Sequence, residues 1–355
     1  MQSHFLRDQV SLFAPVIASV IASTIDRWQT TSESGGQVDI AVEMNRLTLD
    51  VIARTLFTKQ LANGEINRMG DAITLLLEDM AGIQSAITGH RPSFSPQRNK
   101  SFRDAVTVID EILLEMIEER RRDHSPSNDL LTSLISAANE QGQPMSDQEI
   151  RNEVITILVS GHETTAMSLS WAWYLLARHP QAEEQLHYEI DEQLEGRPPS
   201  VDDVPKLHWT TMVLKEAMRM YPPIWIIVKR ALKPGEIAGI RIPAGDSVVT
   251  CLHTVHRHSD YWEAPNAFRP ERFADSTGYV RYEDAYLPFG QGNHRCIGQH
   301  LSMLEQTMAL AALAQRFRVR PVSDSVIKPL AGITLRMQSG FPARLERRCN
   351  QSSHT

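Results

Sequence analysis

Ten residues, Phe289-Gly290-Gln291-Gly292-Asn293-His294-Arg295-Cys296-Ile297-Gly298, set one cysteine among glycines just ahead of a helical repeat. A thiolate there would face the positive end of the helix dipole and accept from nearby amides, which favours the deprotonated, ligating form. Gly290, Gly292 and Gly298 remove side chains that would keep a large flat cofactor away from the backbone. A second group, Ser160-Gly161-His162-Glu163-Thr164-Thr165, interrupts the apolar stretch 154–177. Small residues let a flat ligand lie against one helix face. A threonine hydroxyl bonded to the carbonyl four residues back can open the helix and hold a water, and the neighbouring carboxylate can resupply protons. Glu216-Ala217-Met218-Arg219 places a carboxylate and a guanidinium on one helix face ahead of Tyr221-Pro222-Pro223. His253, His256 and His258 are spaced by three and two, which lacks the paired geometry of a zinc site, so they read as structural or exposed.

The elements that must carry these residues are mostly helices. From residue 5 to about 230, apolar positions recur at three- and four-residue spacing. The N-terminal stretch reads as an amphipathic helix, and two further helices are expected over 67–86 and 102–121. Breaks are expected over 30–37, 89–101, 124–128, 140–145 and 196–205. Ser146-Asp147-Gln148-Glu149 has the form of a capping box, so a long helix should start there and stop at His179-Pro180. Segments 224–230, 239–242 and 247–252 are rich in β-branched residues and bounded by Gly and Pro, and read as strands of a minor sheet. Helical periodicity returns over 297–317, and the tail after Arg348 reads as disordered.

Composition excludes several classes. With 42% hydrophobic and 22% charged residues the chain is that of a globular protein with a substantial core. A net charge of −7 gives no global attraction to nucleic acid or anionic membrane. Three scattered cysteines, Cys251, Cys296 and Cys349, argue against a disulfide framework or a cysteine-based zinc site and suggest a reducing, cytoplasmic compartment. The start lacks the features of a signal peptide, and His162 and Glu163 would be costly inside lipid, so no membrane span is expected.

Taken together, the segment 289–298 resembles the cysteine signature of the cytochrome P450 family, in which that cysteine is the axial thiolate of haem iron. Residues 160–165 resemble the family's oxygen-activation motif, with Ser160 where Ala or Gly is usual and still small enough for the haem. Glu216 and Arg219, with Phe268-Arg269-Pro270-Glu271-Arg272-Phe273, resemble its structural Glu-Arg-Arg cluster. The resemblance covers essentially the whole chain and points to soluble bacterial members. It implies a mainly α fold with a small β region in one domain over 1–355. Within that domain 1–222 is helical, 223–296 holds the minor β and cysteine-loop region, 297–348 the haem-proximal helix and C-terminal part, and 349–355 the tail. It further implies haem b ligated by Cys296, with His294, Phe289, Gly290 and either Lys229 or Arg230 beside the cofactor, and Glu163 with Thr164 in proton delivery. The implied reaction is insertion of one atom of dioxygen into an apolar substrate, with electrons from a separate ferredoxin- or flavodoxin-type donor and its reductase. A peroxide-using haem-thiolate enzyme and a non-catalytic, haem-poor binding protein are the alternatives. Helices and strands that precede this region in the family, including a propionate-binding Trp- or His-x-x-x-Arg motif, are not found here. The expectation is that the chain lacks them and either retains haem poorly alone or is stabilised by another polypeptide.

Overall fold

The computed structural model describes residues 2–80, 96–123, 129–137, 142–274 and 283–348. A short helix α1 (Arg7–Ser11) is separated from α2 (Ala14–Glu33) at Leu12-Phe13, because Pro15 sits in the first turn of α2, where a missing amide proton costs nothing. The single N-terminal helix expected from the sequence is therefore two. Strand β1 (Gln37–Asp39) leads into α3 (Ile40–Leu56), whose start is fixed by Asp39 accepting from the amides of Ala41 and Val42. Helices α4 (Asn63–Met80), α5 (Pro96–Arg122) and α6 (Leu130–Ile135) follow. Pro96 opens α5 instead of lying in a loop, so the expected break is shorter at that end; 81–95, 124–128, 138–141 and the tail 349–355 lie outside the described residues.

Helix α7 (Asp147–Arg178) has the expected capping box: the Glu149 amide donates to Ser146 Oγ at 3.3 Å, and the Ser146 amide donates to Glu149 Oε2 at 2.7 Å. It ends at His179, turned out of helical geometry ahead of Pro180, which opens α8 (Pro180–Leu194). From Thr165 to Leu176 every residue of α7 is buried, so this half is the axis of the core. Helix α9 (His208–Met220) precedes the hairpin-rich region: β2 (Ile226–Arg230), β3 (Gly235–Ile237), β4 (Ile240–Ile242), β5 (Ser247–Cys251) and the single turn α10 (Leu252–Val255). Strands β2 and β5 pair antiparallel with Ile226 opposite Cys251, and β3 pairs with β4.

Helix α11 (Gln299–Arg316) follows the cysteine loop and packs against α2, α7, α8 and α9. Its buried Ala309, Ala311, Ala312 and Ala314 allow close approach on several sides. The chain closes with β6 (Phe317–Pro321), β7 (Pro329–Ala331), β8 (Leu335–Met337) and β9 (Pro342–Arg347). β9 lies between β1 and β6 in an antiparallel sheet, so the two ends of the described chain are joined, and β7 pairs with β8. The β content is thus not confined to 223–296: β1 interrupts the helical part and four strands follow α11. They are short, and β6 signals itself only by Phe317 and Val319 facing in while Arg318 and Arg320 are half-buried.

Candidate active site

The cysteine loop is closed by backbone bonds. The Cys296 amide donates to the Phe289 carbonyl at 2.8 Å, Gly290 to Leu287 at 3.1 Å and Arg295 to Gly292 at 3.1 Å. Gly290 (φ 68°) and Gly292 (φ 70°) take left-handed conformations that a side chain would strain. Gly298 does not, and a Cβ there would meet only Cys296 Sγ, at 3.8 Å. Cys296 is a free, exposed thiol. Although it is open on one side, burial against the loop pushes the thiol up, and the Gly298 amide offsets this only in part. The Gly298 amide at the helix end favours the thiolate, as the sequence implies, and burial works against it.

Along α7 the hydroxyls form a pattern. Thr156 bonds the Asn152 carbonyl at 2.7 Å, Ser160 the Thr156 carbonyl at 2.7 Å, and Thr164 the Ser160 carbonyl at 2.8 Å. Asn152, Thr156 and Ser160 are exposed and Thr164 half-buried, so one stripe of the helix is open and polar where the rest is core. Gly161 lies off this stripe: a Cβ there would come 2.7 Å from Ile52 Cδ1, so its smallness serves the packing of α7 on α3. Thr165 Oγ1 is 3.0 Å from Ser302 Oγ, which accepts from Gln306 at 2.7 Å, and Ser168 bonds Gln306 in turn. These bonds tie α7, one residue from Thr164, to α11, six residues after Cys296.

Glu163 is buried and turned away from Thr164. Its Oε1 accepts from Arg336 Nε at 2.7 Å and from the Thr334 hydroxyl at 3.0 Å, both from the β7–β8 hairpin region. Oε2 has no hydrogen bond and lies 3.9 Å from His162 Nε2. The His162 imidazole is held below its usual range by burial, against the pull of Glu163, so it is neutral and bonds the Leu158 carbonyl at 3.0 Å. Arg336 and Thr334 were not legible as partners of Glu163, being about 170 residues distant with no local signal.

Beneath the loop, Glu216 receives Arg219 Nε at 2.7 Å and Arg272 Nε at 3.0 Å, and all three are buried. Arg219 Nη2 gives Glu216 a second bond at 2.8 Å, and the other guanidinium protons go to carbonyls of His256, Glu263, Ala264, Pro265 and Ala267. Lys229 and Arg230 are adjacent and exposed on β2. Arg230 donates to the Gly245 carbonyl at 3.1 Å, whereas Lys229 and the exposed His294 have no side-chain hydrogen bond or ion pair among the described residues. Phe289 and Gly290 are half-buried. Of the three histidines near residue 256, His256 is fully buried, His253 half-buried and His258 exposed, and no group of side chains suited to a metal ion occurs among the described residues.

This donor set fits a thiolate-held haem: one open sulfur in a glycine loop, the exposed Lys229 and His294 side chains suited to carboxylates, and a polar helix stripe. The solved haem domain of cytochrome P450DA superposes with a TM-score of 0.86 at 27% identity, covering 98% of this chain and 76% of that one. The architecture is therefore the cytochrome P450 fold. The cytochrome P450 family description matches residues 1–351, and the chain belongs to that family. Cyclooctatin synthase of Streptomyces melanosporofaciens is 35% identical over 84% of this chain and 65% of its own length. Pentalenene oxygenase of Streptomyces avermitilis is 32% identical over 94% and 74% respectively. The chain thus spans about two thirds to three quarters of these curated relatives.

Proposed function

We propose that this chain is the haem-thiolate part of a monooxygenase that inserts one atom of dioxygen into an apolar organic substrate. The observation that carries the reading is Cys296, an open sulfur in a closed glycine loop at the head of α11. Cys296 would hold the iron of haem b, Lys229 and His294 would pair with its propionates, and Phe289 with Gly290 would flank it. Bound in this way, haem supplies dioxygen activation and oxygen transfer. The chain's own work is positional. Thr164 commits its hydroxyl proton to the Ser160 carbonyl, leaving lone pairs that can hold a water on the open stripe. Rotation of that hydroxyl lets it pass a proton on. Glu163 would leave Arg336 and Thr334, take up a proton from solvent and hand it to the Thr164 hydroxyl.

The name pentalenene oxygenase supports an apolar substrate. Electrons would come from a ferredoxin- or flavodoxin-type carrier with its reductase. The scattered cysteines support a cytoplasmic site of action, and no helix of the described residues is long and apolar enough to cross a membrane. The test is turnover of an apolar substrate panel with a surrogate reductase under labelled dioxygen. One labelled atom should enter the product. Thr164→Ala should keep consuming reductant while product falls on the order of tenfold to a hundredfold and peroxide rises. Product carrying no label, or unchanged coupling in Thr164→Ala, would contradict the reading.

A further inference from the structure

His256 is a fully buried imidazole that this mechanism does not use. It sits at the end of α10, and its two polar groups face two different structures. Its backbone carbonyl accepts from Arg219 at 2.8 Å, within the Glu216 cluster. Its ring Nε2 accepts the Leu287 amide at 2.9 Å. The Leu287 carbonyl in turn receives the Gly290 amide, and the Phe289 carbonyl receives that of Cys296. The Tyr286 ring lies 5.6 Å from the imidazole, and its hydroxyl donates to the Lys215 carbonyl at 3.0 Å, pinning the same segment to α9.

The ring is fixed in one state. Burial, then the Arg219 guanidinium, lowers the imidazole to about 4, so it is neutral. With Nε2 accepting, the proton must be on Nδ1, which has no hydrogen bond, although the Met218 and Arg219 carbonyls are near enough to favour a proton on the ring. The arrangement satisfies the loop's amide through Nε2 and leaves the ring's own donor facing the Met218 and Arg219 carbonyls.

We infer that His256 is a positioning residue for Cys296, transmitting the rigid Glu216-Arg219-Arg272 cluster to the first turn of the cysteine loop through the Leu287 amide. This rests on Cys296 being the iron ligand. The acceptor, not the bulk of the ring, is the working part. Gln carries an oxygen about as far from Cα as Nε2, and Met has similar length but accepts poorly.

The experiment compares haem-loaded wild type, His256→Gln, His256→Met, His256→Leu and Cys296→Ser by two readouts. One is the fraction of reduced, carbon monoxide-bound haem showing the thiolate-type band. The other is hydrogen exchange at the Leu287 amide. Met and Leu should lose thiolate-type fraction and speed Leu287 exchange by about tenfold, while Gln stays near wild type in both. Either non-acceptor variant decides if the other does not fold. A remote core variant, Leu345→Ala, should lower stability and keep the thiolate fraction. Gln behaving like Met, or Leu345→Ala losing as much thiolate fraction as Met, overturns the inference. A thiolate band persisting in Cys296→Ser would instead sink the ligand assignment, with Leu287 exchange still reporting on His256.

Discussion

The Glu216 cluster and the cysteine loop lie one hydrogen-bonded residue apart and are built on opposite rules. Glu216, Arg219 and Arg272 are buried, and their charges and protons are satisfied within the chain. Cys296 and His294 in the loop, and Lys229 on β2, are exposed, and neither His294 nor Lys229 has a side-chain hydrogen bond or ion pair among the described residues. A saturated buried network holds a shape, because losing any member strands a charge in low dielectric. Polar groups left open at a surface built to be small and unstrained are available to a ligand. Glu163 and Thr164 repeat the contrast within two residues: the first is locked to Arg336, and the second lies on the open stripe.

The contrast is broken most strongly by removing a charge from the cluster. Glu216→Gln leaves two guanidinium groups buried without their carboxylate and should cost about 3–5 kcal/mol of folding stability in denaturant unfolding. Cys296→Ser in the haem-free chain should change it by about 0.5 kcal/mol or less, as expected for an exposed site. Comparable losses in the two variants would remove the distinction.

A smaller effect is expected where α7 meets α3. Gly161→Ala places a methyl 2.7 Å from Ile52 Cδ1 and should cost about 1–3 kcal/mol by overpacking. Ile52→Val removes that carbon, so a double-mutant cycle should show a favourable coupling. Simple additivity would mean that Gly161 is small for the open stripe and not for the helix contact.

Acid sharpens the comparison further. Burial lowers His256 and His253 to about 4 and His187 to about 3; Arg219 adds to the first, Arg257 to the second, and Arg348, Arg318 and Arg320 to the third. In the unfolded chain these groups titrate near 6.5. Between those values the unfolded state binds more protons than the native state, so stability is full above about pH 6.5 and falls as pH drops toward 4. Urea midpoints through this window should decline, and the slope should lessen in His256→Gln. A flat profile would mean that these imidazoles are accessible.

Much of this was legible in the sequence because it is local. The capping box at Ser146, the stop at Pro180 and the back-bonded Thr164 each depend on residues within about four positions. What was not legible depends on distant pairings. β1 is a strand only because β9 lies beside it, and Glu163 meets Arg336 only because the β7–β8 hairpin folds back on α7. Gly161 looked like space for a ligand until Ile52 filled it. The helix end and amides around Cys296 could be read locally, whereas burial, a property of the whole fold, raises its thiol.

The central claim, that Cys296 is the iron ligand, is tested most directly by the reduced carbon monoxide difference spectrum of the haem-loaded chain and its cysteine variants. Wild type, Cys251→Ala and Cys349→Ala should all show the thiolate-type band, and Cys296→Ser should lose it. A thiolate-type band that survives in Cys296→Ser, or disappears in Cys251→Ala or Cys349→Ala, would contradict the assignment.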